Sequence, residues 1–328
     1  MFTRCLLVLV VAAHSAAASG VAAPAAAASA SHPHAAADKY QIWGTAAATA
    51  LIARADANSL ATAAALRYMG PGLKPSPLEL AARASELAPE DASIGWLHLQ
   101  LCGNTPTCDV RDVATVLRWV DADNGAAWLQ NLAAAQKDRD ETEVDRILTD
   151  MAQGTRFDFY WNRLVVLMVD ALYAARDDLP NGFAASDAAR LNFVSRIASA
   201  EIIPSFSALQ EACRESSAIP GRRDACLKLS KTMQRGDTVI AQITGFSIER
   251  RLHAPDSKEA RAIAQRRHVL EWRVAAAAQL DSPLLPWTKN AHARARLAQM
   301  RAMPREEDVC IAILRKHKMA LDPPEVHP

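Results

Sequence analysis

Trp96, Trp128 and Trp161 stand 32 and 33 residues apart, each near the start of an apolar, helix-periodic segment that follows an acidic turn. Their flanks align as LAPEDASIGWLHL, VDADNGAAWLQNL and GTRFDFYWNRL. Between them lie second helical segments, RDVATVLRWV and ETEVDRILTDMA, and an earlier pair at 57–69 and 77–87 extends the register towards the N-terminus. A two-helix unit recurring at this period is the pattern of a helical solenoid, in which each hairpin buries its apolar face only by stacking on its neighbours.

Composition agrees with helix throughout. Of 328 residues 68 are Ala, the strongest helix former, whereas Gly (12) and aromatic side chains (5%) are scarce. Strand-like alternation is absent, so an all-α chain of about 14 helices and no sheet is expected. Ser76-Pro77, Asp91-Ala92-Ser93, Asp109 and Asp123-Asn124 each precede an apolar periodic run. Their side-chain oxygens can accept the free N–H groups of a first helical turn.

The repeat resembles the tetratricopeptide-like repeat proteins over residues 39–176. The Trp-x-x-Leu element is present as Trp96…Leu99 and Trp161…Leu164, while the middle repeat has Asn131 at the Leu position and Leu132 one place on. Pro89 falls near the inter-repeat Pro, and Gln100 and Val165 stand where the family places Gly. The turn enclosed by Cys102 and Cys108 also resembles the cysteine-bridged Sel1-like repeats, with a different Cys spacing. The resemblance implies a protein- or peptide-binding scaffold with a concave groove, and it brings no catalytic residues. Trp96, Trp128 and Trp161 then read as repeat-core residues that interlock adjacent hairpins.

Residues 1–18 read as a secretory signal peptide: Arg4, an apolar run from Leu6 to Ala13 too short to span a bilayer, then Ala16-Ala17-Ala18. Residues 19–37, rich in Ala, Ser, His and Pro, read as a disordered linker, where His32 and His34 alone make no metal site. The expectation is a periplasmic or secreted protein that does not span the membrane once cleaved. Export governs the cysteines, because close pairs in an oxidising compartment are disulfide candidates. Cys102 with Cys108, and Cys213 with Cys226, each flank a polar turn and are expected to bridge. Cys310, in Val309-Cys310-Ile311, is left over as a buried free thiol.

The two halves differ in charge. Residues 39–185 hold 13 Lys and Arg against 19 Asp and Glu, whereas residues 186–328 hold 23 against 16. The breaker cluster Asp177-Asp178-Leu179-Pro180-Asn181-Gly182 divides repeats at 38–180 from a basic helical domain at 181–320, with 321–328 as a tail. Arg222, Arg223, Arg250, Arg251, Arg266 and Arg267 form three pairs that make a candidate anion patch, since guanidinium forks onto phosphate and carboxylate. The alternative is solvated helix faces with local partners such as Glu249 and Glu271. For an exported chain the anions are lipid head groups, wall polymers or acidic protein faces, and nucleic acid is not an expected partner.

No catalytic constellation is found. H-E-x-x-H and a Gly-rich phosphate loop are absent, and Gly245-Phe246-Ser247-Ile248-Glu249 fails the G-x-S-x-G pattern at its last position. The acidic stretch Asp138–Asp145 reads as an exposed helix start, where carboxylates favour the positive dipole end. Glu215-Ser216-Ser217 resembles the Glu-Ser pair of helical wall transglycosylases, without that family's downstream pattern. His98, His253, His268, His292 and His317 lack i,i+4 pairing. No catalytic residue, metal or cofactor is therefore expected. The leading function is non-catalytic binding or scaffolding, with the repeat groove presented to an envelope protein or peptide. The alternative is a cell-envelope hydrolase acting on wall glycan or peptide through a site in the C-terminal half.

Overall fold

The computed structural model describes residues 33–67, 74–179, 186–214, 219, 221–280 and 290–324. The segment read as a signal peptide, most of the segment read as a linker and the Glu215-Ser216-Ser217 motif lie outside the described residues.

Fifteen α-helices and no strand occur among the described residues, with an isolated β-bridge between Asn124 and Arg156. The first helix, α1 (Pro33–Arg54), begins five residues inside the segment read as linker. The Ala-rich stretch here has the intrinsic preference for helix. Then come α2 (Ala57–Arg67), α3 (Pro77–Leu87), α4 (Ala92–Gly103), α5 (Val110–Val120), α6 (Leu129–Asp138) and α7 (Glu141–Gln153). The caps are those legible in the sequence. Ser76 and Glu79 form a capping box on α3 with Pro77 in its first turn, while Asp91 and Asp109 cap α4 and α5. Asn124 caps a single 3-10 turn, Gly125–Trp128, that leads into α6.

Successive helices from α1 to α7 pack on one another, and α2, α4 and α6 also touch in order. The next three helices, α8 (Trp161–Ala174), α9 (Asp187–Glu201) and α10 (Ser207–Arg214), turn back over that row. Helix α8 lies on α1, α2 and α4, α9 on α2 and α4, and α10 on α6. Ala61, Ala63, Ala64 and Ala65 are fully buried in α2, so the small side chains bring neighbouring backbones close on every side.

The chain continues through α11 (Arg222–Met233), α12 (Val239–Arg251), α13 (Lys258–Leu280), α14 (Asn290–Ala302) and α15 (Glu306–Lys316). Helix α11 packs on α7 and α12, α13 on α12 and α15, and α14 on α8 and α9. The largest core takes in residues from Trp43 to Met300, on both sides of the breaker cluster that divides the charge, while α13 contributes to two smaller clusters, one with α15 and one with Phe246 of α12. Residues of the tail are tied down: Arg273 on α13 donates to the Leu321 carbonyl at 2.9 Å and pairs with Asp322 at 3.3 Å.

Both expected disulfides are present. Cys102 and Cys108 link the end of α4 to the turn before α5, and Cys213 and Cys226 link the end of α10 to the first turns of α11. Cys310 is a free, half-buried thiol on α15, and burial pushes it up to about 11.

Candidate functional site

The densest set of buried polar groups surrounds the extended segment 154–160, which joins α7 to α8. The chain enters through a close backbone approach: a Cβ on Gly154 would sit 2.8 Å from the Gly125 nitrogen. The backbone N–H groups of Thr155 and Arg156 donate to the Asp123 carbonyl, and Gly125 N–H donates to the Arg156 carbonyl. Asn124 then grips residue 158 from both sides. Its Oδ1 accepts the Asp158 N–H at 3.0 Å, and its Nδ2 donates to the Asp158 carbonyl at 2.9 Å. Tyr160 ends the segment in a left-handed conformation (φ 58°), turning the chain into α8.

Two aromatic rings, Phe157 and Phe159, are thereby carried inward. Phe159 stacks on Trp96 at 5.1 Å and meets Phe157 and Phe206 at 5.6 Å each. Trp96 is fully buried, and its indole Nε1 donates to the Ile202 carbonyl at 3.1 Å.

Carboxylates gather on the other side of the segment. Asp121, the cap residue after α5, accepts from Arg156 on one oxygen and from the Tyr160 hydroxyl on the other. Arg156 also reaches Asp158 at 3.1 Å. Burial holds Asp158 above the usual carboxylate range despite that guanidinium, and burial with Asp121 alongside raises the Tyr160 phenol. Asp237, in the turn between α11 and α12, accepts the Phe159 N–H at 2.9 Å and the Trp161 N–H at 3.2 Å. Its carboxyl is pushed up to about 8 by burial and by Asp158. The turn fits because residue 236 is glycine: a Cβ there would come within 2.6 Å of the Phe157 carbonyl oxygen. The Asp237 carbonyl accepts the Glu306 N–H, and Glu306 returns a carboxylate to the Val239 N–H at 2.7 Å.

This is a joint rather than a cleft. Each oxygen of Asp121 and Asp237 already has a donor, and the two depressions described elsewhere on the surface, beside Arg54 and beside Cys108, are lined by neither residue. Among the described residues, no three His, Cys, Asp or Glu side chains are arranged to hold a metal ion. Glu201 on α9 is also buried. Its Oε2 has no hydrogen-bond partner, and burial alone pushes the carboxyl up to about 8.

The structure separates the residues singled out from sequence. Trp96 is the fully buried one of the three tryptophans; Trp128 and Trp161 are half-buried against the same core. The guanidinium of Arg118 lies 3.9 Å from the Trp128 ring centre, and Trp161 opens α8 with its N–H on Asp237. The six arginines of the candidate patch do not share one environment. Arg222 is buried against Glu141 and Asp145 of α7, so the acidic start of that helix serves a basic residue of the other half. Arg223 donates to the Leu252 carbonyl, Arg266 pairs with Glu249, and Arg267 pairs with Glu271. Arg250 and Arg251 are exposed at the end of α12. His98 is half-buried on α4, and burial lowers its pKa.

Comparison with family models, with curated proteins and with solved structures finds no match. Sequence reasoning missed Asp121, Asp158, Tyr160 and Asp237. Their partners are separated by 34 to 78 residues, and nothing periodic marks them. The signal that could have found them is the acidic-aromatic string Arg156-Phe157-Asp158-Phe159-Tyr160, which breaks helical periodicity between two strongly helical runs.

Proposed function

We propose that this is an exported, non-catalytic binding or scaffold protein that engages an envelope protein or peptide through its helical hairpins. The pairs α2–α3, α4–α5 and α6–α7 are read as degenerate tetratricopeptide-like repeats, supported by their sequential packing and by the succession α2, α4, α6. Their inner row is covered by α8, α9 and α10, which leaves the outer helices to meet a partner. The observation that carries the reading is on α5. Trp119 and Val116, one helical turn apart, are 82% and 60% exposed. Trp is costly to leave in water and is among the side chains most enriched where proteins bind proteins. Export is supported by the two disulfides and by the signal-like residues 1–18; among the described residues, no helix is long and apolar enough to cross a membrane. A weak contact of Arg250 and Arg251 with anionic lipid or wall polymer is a secondary part of the proposal. The hydrolase alternative gains no support from Asp237 or Glu201, because neither lines a described depression.

The test is capture from envelope extracts by the immobilised mature protein and by its Trp119→Ser variant, with the retained proteins identified. The proposal expects a defined protein held by the parent and lost from the variant at unchanged melting temperature. Equal capture by both, or none by either, overturns it.

A further inference from the structure

The 154–160 joint unites three parts of the chain through one residue, Asp237. Asp237 takes the N–H groups of Phe159 and Trp161 from the front half, while its own carbonyl takes the Glu306 N–H that opens α15. The groups around it are mostly of its own sign. Asp158 faces it from the extended segment and Glu306 from α15. The cations nearby are engaged elsewhere: Arg156 lies on Asp121 and Asp158, Arg296 of α14 acts on Glu306, and Arg305 pairs with Glu307 and Asp308. Helix α12 contributes the neutral Gln242, which donates to the Gly236 carbonyl, and Arg235 beside the turn is exposed. The thiol of Cys310 on α15 is itself held protonated by its surroundings.

We propose that this joint is a proton-controlled latch: protonation of the Asp237 carboxyl keeps the 154–160 segment seated on the α11–α12 turn, and its ionisation loosens the segment from that turn. Ionisation puts a negative charge at a buried position beside the carboxyls of Asp158 and Glu306, both held above their ordinary range by burial, and the two N–H donors offset only part of that cost. The device belongs to the fold and does not depend on what the α5 face binds.

A carboxyl held at about 8 when the joint is closed and returned to the ordinary 3.8 when it opens favours opening on the order of a hundredfold between pH 6 and pH 9. Hydrogen exchange on the full mature chain reads this directly, with rates at residues 159–161 expressed relative to the free-peptide rate at the same pH. The protection of these amides is expected to lie below that of α2 and to fall steeply from pH 6 to pH 9. Asp158→Asn removes the nearest like charge and retains both N–H bonds to Asp237, so it should shift the loss of protection to lower pH and shrink it several-fold. Asp237→Asn should abolish the pH dependence; the Asp158→Asn result decides the matter whether or not that variant folds. Protection at 159–161 that ignores pH, that changes identically in Asp158→Asn, or that equals the protection of α2 at every pH, overturns the latch.

Discussion

At the scale of single residues, burial rather than identity decides what a side chain contributes. Trp96 fills the core, stacks on Phe159 and donates to Ile202, so Trp96→Ala should cost about 3–5 kcal/mol, read as a lowered urea midpoint. Trp128 is half-buried beneath Arg118, and Trp128→Ala should cost less than half as much. Equal losses would mean that both are core residues of one repeat. Glu201 supplies a pH test. Its carboxyl at about 8 lies above the value it takes in the unfolded chain, so the folded state binds the extra proton. Stability is therefore full below the unfolded value and drains away as pH rises towards 8. Glu201→Gln should match the parent near pH 5 and exceed it by about 1–3 kcal/mol near pH 9; a variant less stable than the parent at pH 9 would contradict this. The 32- and 33-residue spacing picked out the three tryptophans in the sequence, but their burial was not legible, because each stands at a different distance from its helix start.

At the scale of elements, local chemistry was legible and distant pairing was not. The caps of α3, α4 and α5 and both disulfides involve residues 2 to 13 positions apart, so turn chemistry and the expectation of export were enough to find them. The Arg267–Glu271 pair, at i,i+4 on α13, is of the same kind. Arg222 and Arg223 are neighbours in sequence, yet the 100° step of a helix turns one into the α7 interface and the other towards Leu252. Arg222→Met should therefore cost about 1–3 kcal/mol, measured by thermal unfolding, because it removes charge-assisted bonds to Glu141 and Asp145 whose carboxylates can rehydrate. Arg251→Met, at an exposed position, should change stability by less than about 0.5 kcal/mol. Comparable losses would mean that the two positions share one environment.

At the scale of the whole molecule, the acidic front and basic back face one another as well as the solvent. Arg222 meets Glu141 and Asp145, Arg301 meets Asp170, and Asp237 clasps the backbone at the head of α8. The all-α class was readable from Ala content and the absence of alternation. The return of α8, α9 and α10 over α2, α4 and α6 was not, since a helix covering its neighbours carries the same apolar stripe as one extending a stack. The largest core includes residues of both halves, from Trp43 to Met300, so the two halves are predicted to unfold as one cooperative unit. Calorimetry of the disulfide-intact mature protein at pH 6 tests this most directly. A single transition with equal calorimetric and van't Hoff enthalpies is the predicted result, and two resolved transitions, one for each half, would contradict it.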